Sequence, residues 1–234
     1  MTVAKWAVLG WMILASVVPV AARDIISGIK TTLELVGPPE VEYRRADAPA
    51  IRNEPENRWL KISIEYTPSQ VRMEPPALTR ERGRLRLNRS GFLDGMSIKL
   101  RVLVDSGIKF GTRPVYGMYT GEVTFVTVKR DGKKHLAEMF IPGALIDRFS
   151  LSPNGSVRRV SKSDFIIEVV FTAAGREIGR YYSGVTNDRA FATACEMVPD
   201  NMVSVGGVYP RSRTPWALLG ADGLDPESGS ADGN

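Results

Sequence analysis

The sequence predicts an all-β protein, an immunoglobulin-like antiparallel β-sandwich, with a closed barrel as the alternative. Three observations carry this reading. At least six segments alternate apolar and polar residues at period two, the mark of strands with one buried face. Turn residues separate them at short intervals, most clearly Asp131-Gly132 and Ala174-Gly175. Helical periodicity is almost missing, so the apolar faces must be buried against a second sheet.

The first element in chain order is not a strand. Lys5 precedes an uncharged apolar run, Trp6 to Ala22, which closes on Pro19-Val20-Ala21-Ala22 before Arg23-Asp24. A basic start, an apolar stretch and small residues at a cleavage point predict a signal peptide over 1–22, removed after Ala22. The competing reading is an uncleaved anchor, because a run of about 17 residues sits at the short limit for spanning a bilayer. The expected location is the periplasm or the cell surface, secreted or, if the segment is retained, membrane-anchored. Cys195 is the only cysteine. It lies far from the signal, so it offers no lipid attachment, and it cannot form an internal disulfide. The core must therefore hold by burial alone, which the length permits.

The β domain is expected over 23–219. An opening strand falls within 24–36, and a proline-rich connection follows. Leu60, Ile62, Ile64 and Tyr66 alternate with Lys61, Ser63 and Glu65 in the first clear strand. Ile98, Leu100, Val102 and Val104 mark the second, which the turn-like Asp105-Ser106-Gly107 ends. Strands over 119–129 and 135–141 join through Asp131-Gly132. Phe165, Ile167, Val169 and Phe171 share a face of a strand that pairs with 177–182. Short helical turns are expected at 144–149 and at 189–197, the latter capped by Asn187 or Asp188. Residues 220–234 read as a disordered tail.

The excursion from 68 to 95 carries Arg80, Arg82, Arg84 and Arg86 at every second position, then Arg89. In an extended chain these guanidinium groups would share one face and form an anion-facing ridge. A solvated loop or a charged edge that discourages sheet pairing is the plainer reading.

No catalytic constellation emerges. His135, the only histidine, sits on a lysine-rich flank and reads as an exposed strand residue. With Cys195 it supplies too few ligands for zinc, so no metal and no cofactor are expected. Cys195 reads as a buried structural thiol. Asp94, Asp105, Glu122, Asp147 and Glu168 are acidic, but their spacing selects no acid–base pair. Val205-Gly206-Gly207-Val208 lacks the lysine and helix of a phosphate loop. The tripeptides starting at Asn88 and Asn154 would bear glycans only in a eukaryotic secretory route. Tyr116, Tyr119, Tyr181 and Tyr182 are read as packing rather than as a binding face. The net charge of +5 is too small to call for nucleic acid, which is not expected as a partner. It suits contact with an anionic surface.

The order of motifs resembles a known family. Arg58-Trp59-Leu60-Lys61-Ile62-Ser63-Ile64-Glu65-Tyr66 places a tryptophan ahead of alternating apolar positions. Ile98-Lys99-Leu100-Arg101-Val102-Leu103-Val104 follows after an insertion. Tyr119-Thr120-Gly121-Glu122-Val123-Thr124-Phe125-Val126 then leads through Asp131-Gly132 to Met139-Phe140-Ile141-Pro142. Over roughly 57–183 this pattern resembles verrucomicrobial secreted, pilus-associated immunoglobulin-like proteins, encoded with a type IV pilus-like system. The resemblance implies a non-enzymatic exported structural or interaction module, a pilus-like or pilus-accessory component whose partners are envelope or pilus-apparatus proteins. It transfers no functional residues. The chain departs from the pattern in its arginine-bearing stretch, and its N-terminus lacks a prepilin glycine and early glutamate. The alternative function is a periplasmic binding module for an anionic glycan or lipid headgroup, using Arg80, Arg82, Arg84, Arg86 and Arg89.

Overall fold

A computed structural model describes residues 25–37, 58–70, 77–81, 84–88, 91–149 and 161–218, together with Leu224 and Glu227. The expected signal segment and nearly all of the expected tail lie outside the described residues. Two of the tail's positions are placed: Leu224 bridges Leu136 and Glu227 bridges Phe125.

Seven strands form the frame. Strands β1 (Ile26–Val36) and β2 (Trp59–Pro68) pair antiparallel. After a β3 (Ala77–Glu81) and β4 (Arg84–Asn88) hairpin and the short β5 (Phe92–Asp94), the chain enters β6 (Ser97–Phe110) and returns along β7 (Arg113–Thr124). The short β8 (Thr127–Lys129) pairs with β5. Strand β9 (His135–Pro142) then crosses to pair with β2, and β10 (Phe165–Ala173) and β11 (Arg176–Ser183) return to β6. One sheet is ordered β1-β2-β9, the other β11-β10-β6-β7, each with one short late strand added. This alternation between two sheets is the immunoglobulin-like Greek key, so the sandwich, not the barrel, is the fold.

The expected apolar rows build the core. Leu60, Ile62, Ile64 and Tyr66 of β2 face Ile98, Leu100, Val102 and Val104 of β6, with Phe165, Ile167, Val169 and Phe171 of β10 beside them in the same sheet. Tyr66 and Phe171 rings meet across the sheets at 5.2 Å.

Helix α1 (Gly143–Phe149) follows β9, and the Tyr119 hydroxyl donates to the Leu145 carbonyl. Helix α2 (Asp188–Cys195) begins at Asn187, whose side chain accepts from the Ala190 amide at 2.9 Å. Its Phe191 and Ala194 bury against Leu103 and Ile166 on the outer face of the β10–β6 pair.

The C-terminal stretch does more than its composition announced. Strand β12 (Val203–Ser204) adds to β7 in parallel, and β13 (Tyr209–Pro210) adds to β9. A single short segment thus ties the edges of both sheets on that flank. Beyond it Trp216 stacks on Phe140 at 4.6 Å and meets Trp59 edge-on at 5.6 Å, covering the outer face of the first sheet. Arg211 anchors the strap to Glu138 at 2.7 Å.

Strand β6 runs five residues past the expected end at Asp105. The Asp105 carboxylate accepts from the Gly107 amide at 2.7 Å, as in a turn. The chain nevertheless continues, because the buried Ser106 hydroxyl donates to the Val115 carbonyl of the partner strand and accepts from the Ile108 amide. The local turn chemistry becomes a bulge.

No described helix is long and apolar enough to cross a membrane.

Candidate functional site

The expected arginine ridge is folded back on itself. Arg80 lies on β3 and pairs with Leu85, while Arg84 and Arg86 lie on β4 opposite Glu81 and Thr79. Arg80 therefore falls in a different register row from Arg84 and Arg86. The chain reverses between Glu81 and Arg84, and Arg82 and Arg89 lie outside the described residues. The hairpin forms its own two-stranded sheet.

A denser cluster of charge sits on the outer face of the β10–β6 pair, and no residue spacing announced it. Glu168 is 2 % exposed. Its position in Phe165-Ile-Ile-Glu-Val-Val-Phe171 is the one sequence signal: an acid inside an apolar strand must be partnered or neutralised. Here it is partnered. Arg101 of β6 donates through Nε to one carboxylate oxygen. Arg180 of β11 donates to the other at 2.8 Å, and the Tyr182 hydroxyl oxygen lies 3.2 Å from it. Arg180 also grips Glu177 at 2.5 Å, and Tyr182 donates to Asp188 at the start of α2 at 2.7 Å. The Arg101 guanidinium lies 4.9 Å over the Phe191 ring.

The electrostatics follow from these contacts. The Glu168 hydrogen bond raises the Arg101 pKa above its ordinary value. Contacts with Glu177 and Tyr182 raise that of Arg180. Arg180 in turn holds the Glu177 carboxyl below the usual range. Burial pushes the Tyr182 phenol up to about 12, helped by its bond to Asp188. Burial also raises the half-buried Cys195 thiol, which makes it a poor nucleophile at neutral pH.

Beside the cluster an open groove of about 490 Å³ is lined by Lys99, Arg101, Thr120, Glu168, Arg180 and Val205, among others. Both oxygens of Glu168 are committed to cations and a phenol, and Glu122 pairs with Lys99 at 3.7 Å. The carboxylates near the groove are each ion-paired to a neighbouring side chain.

The other acidic candidates have local tasks. Asp94 accepts from the Thr127 hydroxyl at 2.9 Å, and Asp105 shapes the bulge. The side chain of Asp147 lies outside the described set. His135 is not the exposed strand residue its flank implied. Its side chain is 11 % exposed, stacked on Tyr66 at 5.6 Å and 3.2 Å from Asp131. The residue faces inward because its register partner, Tyr66, belongs to the core row. Of the tyrosines, Tyr119 is fully buried, Tyr116 and Tyr182 pack under α2, and Tyr181 packs against the main core. Among the described residues no three metal-ligating side chains gather.

The raised tyrosine and thiol values give a pH expectation. A group whose folded pKa lies above its unfolded one binds its proton more tightly when folded. Its contribution is complete below the unfolded pKa and is lost as pH rises. Tyr182, Tyr116 and Cys195 all have raised values, each first by burial. Stability should therefore fall as pH climbs from about 9 toward 12. Denaturant melts across that range should show the decline, and Tyr182→Phe should flatten its upper part. A midpoint constant to the top of the range would contradict the assignment.

No protein-family model matches the chain, nor does any curated sequence. A crystal structure from Akkermansia muciniphila is similar, with a TM-score of 0.52 at 15 % identity. The match covers 89 % of this chain and 97 % of that one. At that identity the likeness bears on architecture: both chains share the all-β sandwich.

Proposed function

We propose that this chain is a non-enzymatic exported module of the bacterial cell envelope, a pilus-like or pilus-accessory component that works by protein contact. The observation that carries the reading is the edge formed by β1. On one flank the two-residue strands β12 and β13 add to Met118–Tyr119 of β7 and Met139–Phe140 of β9. On the other, the Ile25 amide donates to the Ile178 carbonyl and Ile26 packs on Gly179. Beyond that corner β1 has β2 as its one partner strand among the described residues. Its free backbone can accept an added strand, with Lys30, Thr32 and Glu34 setting selectivity. The family resemblance over roughly 57–183 supports the envelope setting. The signal-like segment over 1–22 supports export.

A photo-reactive residue at position 32 or 34 should cross-link to an envelope or pilus-apparatus protein in cells that make the chain. The same residue at Arg176 on β11 should give no adduct. Envelope fractions with no adduct from β1, and no associated pilus component, would remove the reading.

A second reading, contact with an anionic glycan or headgroup, has one support. The β3–β4 hairpin is a two-stranded ladder of its own and carries Arg80, Arg84 and Arg86.

A further inference from the structure

We propose that the tip of the β6–β7 hairpin is a wedge that docks the domain on an anionic lipid surface. Every residue from Ile108 to Arg113 is exposed. Phe110 is 76 % exposed and Ile108 48 %. These two residues are two apart on one strand, so they share a face, whereas isolated apolar residues scattered over a surface would need no explanation. Cations flank them: Phe110 pairs with Arg113, and Lys109 pairs with Pro114. The sequence has no carboxylate between Asp105 and Glu122, and Asp105 itself is turned to the Gly107 amide. The tip therefore turns at Gly111-Thr112, with Ile108 and Phe110 exposed just before the turn and Lys109 and Arg113 as its only charges.

The base of the hairpin is built to hold this tip in one direction. Ser106, fully buried, joins the Val115 carbonyl at 2.6 Å and the Ile108 amide at 3.2 Å. The Tyr116 amide donates to the Met197 carbonyl just past α2 at 3.1 Å. A bulge at this point re-aims the outer strand, and the hydrogen bonds fix it before any partner arrives. The aim is thus a property of the free domain.

A bilayer fits the tip better than a protein groove does. A stable protein interface covers about 800 Å² on each partner, far more than two side chains on a convex tip offer. Interfacial insertion asks only for a shallow apolar end, and an anionic leaflet adds attraction for each flanking cation. This contact is separate from the β1 edge and stands without it.

The test is co-sedimentation with vesicles of phosphatidylethanolamine and phosphatidylglycerol, against vesicles of phosphatidylcholine alone. The chain should start at Arg23, because Trp6 to Ala22 would bind lipid by itself; the described contacts all lie within 25–227. The chain should sediment with the anionic vesicles, and added salt should release it. Phe110→Ser, and Lys109→Glu combined with Arg113→Glu, should each weaken binding about tenfold or more. Their thermal midpoints should match the parent, since the altered side chains are exposed. Phe110→Trp should shift its emission to the blue on anionic vesicles and be quenched by brominated acyl chains. Failure of the parent to sediment overturns the proposal, as does parent-like binding by the tip variants. Loss confined to Arg84→Glu with Arg86→Glu would move the site to the β3–β4 hairpin and overturn it. So would cross-linking of position 110 to a protein without vesicle binding.

Discussion

Replacing Arg101 with methionine should destabilise the fold by about 3 kcal/mol, and replacing its partner Glu168 with leucine should cost less, about 1 kcal/mol. The asymmetry follows from burial. Glu168 is 2 % exposed, while the side chains of Arg101 and Arg180 are 44 % and 34 % exposed. A guanidinium left alone at those exposures recovers much of its hydration, so the ion-pair contribution seen from its side is discounted. A carboxylate left short of a partner has no water to turn to. Arg101→Met also removes the guanidinium that lies over Phe191, loosening α2 on the sheet. The double variant should resemble Glu168→Leu alone, because methionine and leucine can pack where the pair stood. Urea melts of the two single variants and the double give the coupling directly. Equal costs for the two single variants, or additive costs in the double, would mean that burial does not set the balance.

The parts of the fold legible in the sequence are those that local periodicity decides. The Leu60–Tyr66 and Phe165–Phe171 rows appear as expected because each places one face inward along its whole length. The Asn187 cap appears because its side chain needs only the Ala190 amide three residues on. Where a distant strand decides, the sequence reads differently from the structure. Asp105-Ser106-Gly107 carries the chemistry of a turn, yet Ser106 bonds Val115 across the hairpin and the strand continues. Arg80 to Arg86 keep period two, but the reversal between β3 and β4 puts the run on both arms of a hairpin. Glu168 is marked in the sequence only by its place inside the apolar run Phe165–Phe171, and nothing there names its partners. Its partners Arg101 and Arg180 lie on two other strands, 67 and 12 residues away. Trp216, in a stretch whose Gly, Ser and Pro content signals loop, finds Trp59 and Phe140 only because β2 and β9 are neighbours.

Gly121→Ala should destabilise the domain by about 3 kcal/mol, a large cost for one methyl group. Glycine inside a strand weakens it and often marks the close approach of another backbone. Here a Cβ at position 121 would stand 2.1 Å from the Val208 carbonyl oxygen and 2.6 Å from the Val208 Cβ. Neither atom is the end of a flexible side chain, so the segment carrying Val208 must retreat. That segment holds the flank closed: the Val208 amide donates to the Thr120 carbonyl at 3.1 Å, Val208 is buried in the core, and β12 and β13 lie on either side of it. Retreat would reopen the edges of β7 and β9 together. Gly121→Ala should therefore lower the thermal midpoint and also speed amide exchange in β12, β13 and the facing parts of β7 and β9. The β1–β2 pair should keep its protection at early times. A midpoint within a degree or so of the parent, with exchange unchanged on that flank, would show that Val208 yields at little cost. Loosening this segment would leave more of the β7 and β9 edges unpaired. The same variant should therefore begin to self-associate through the reopened edges, as size-exclusion chromatography at rising concentration would record.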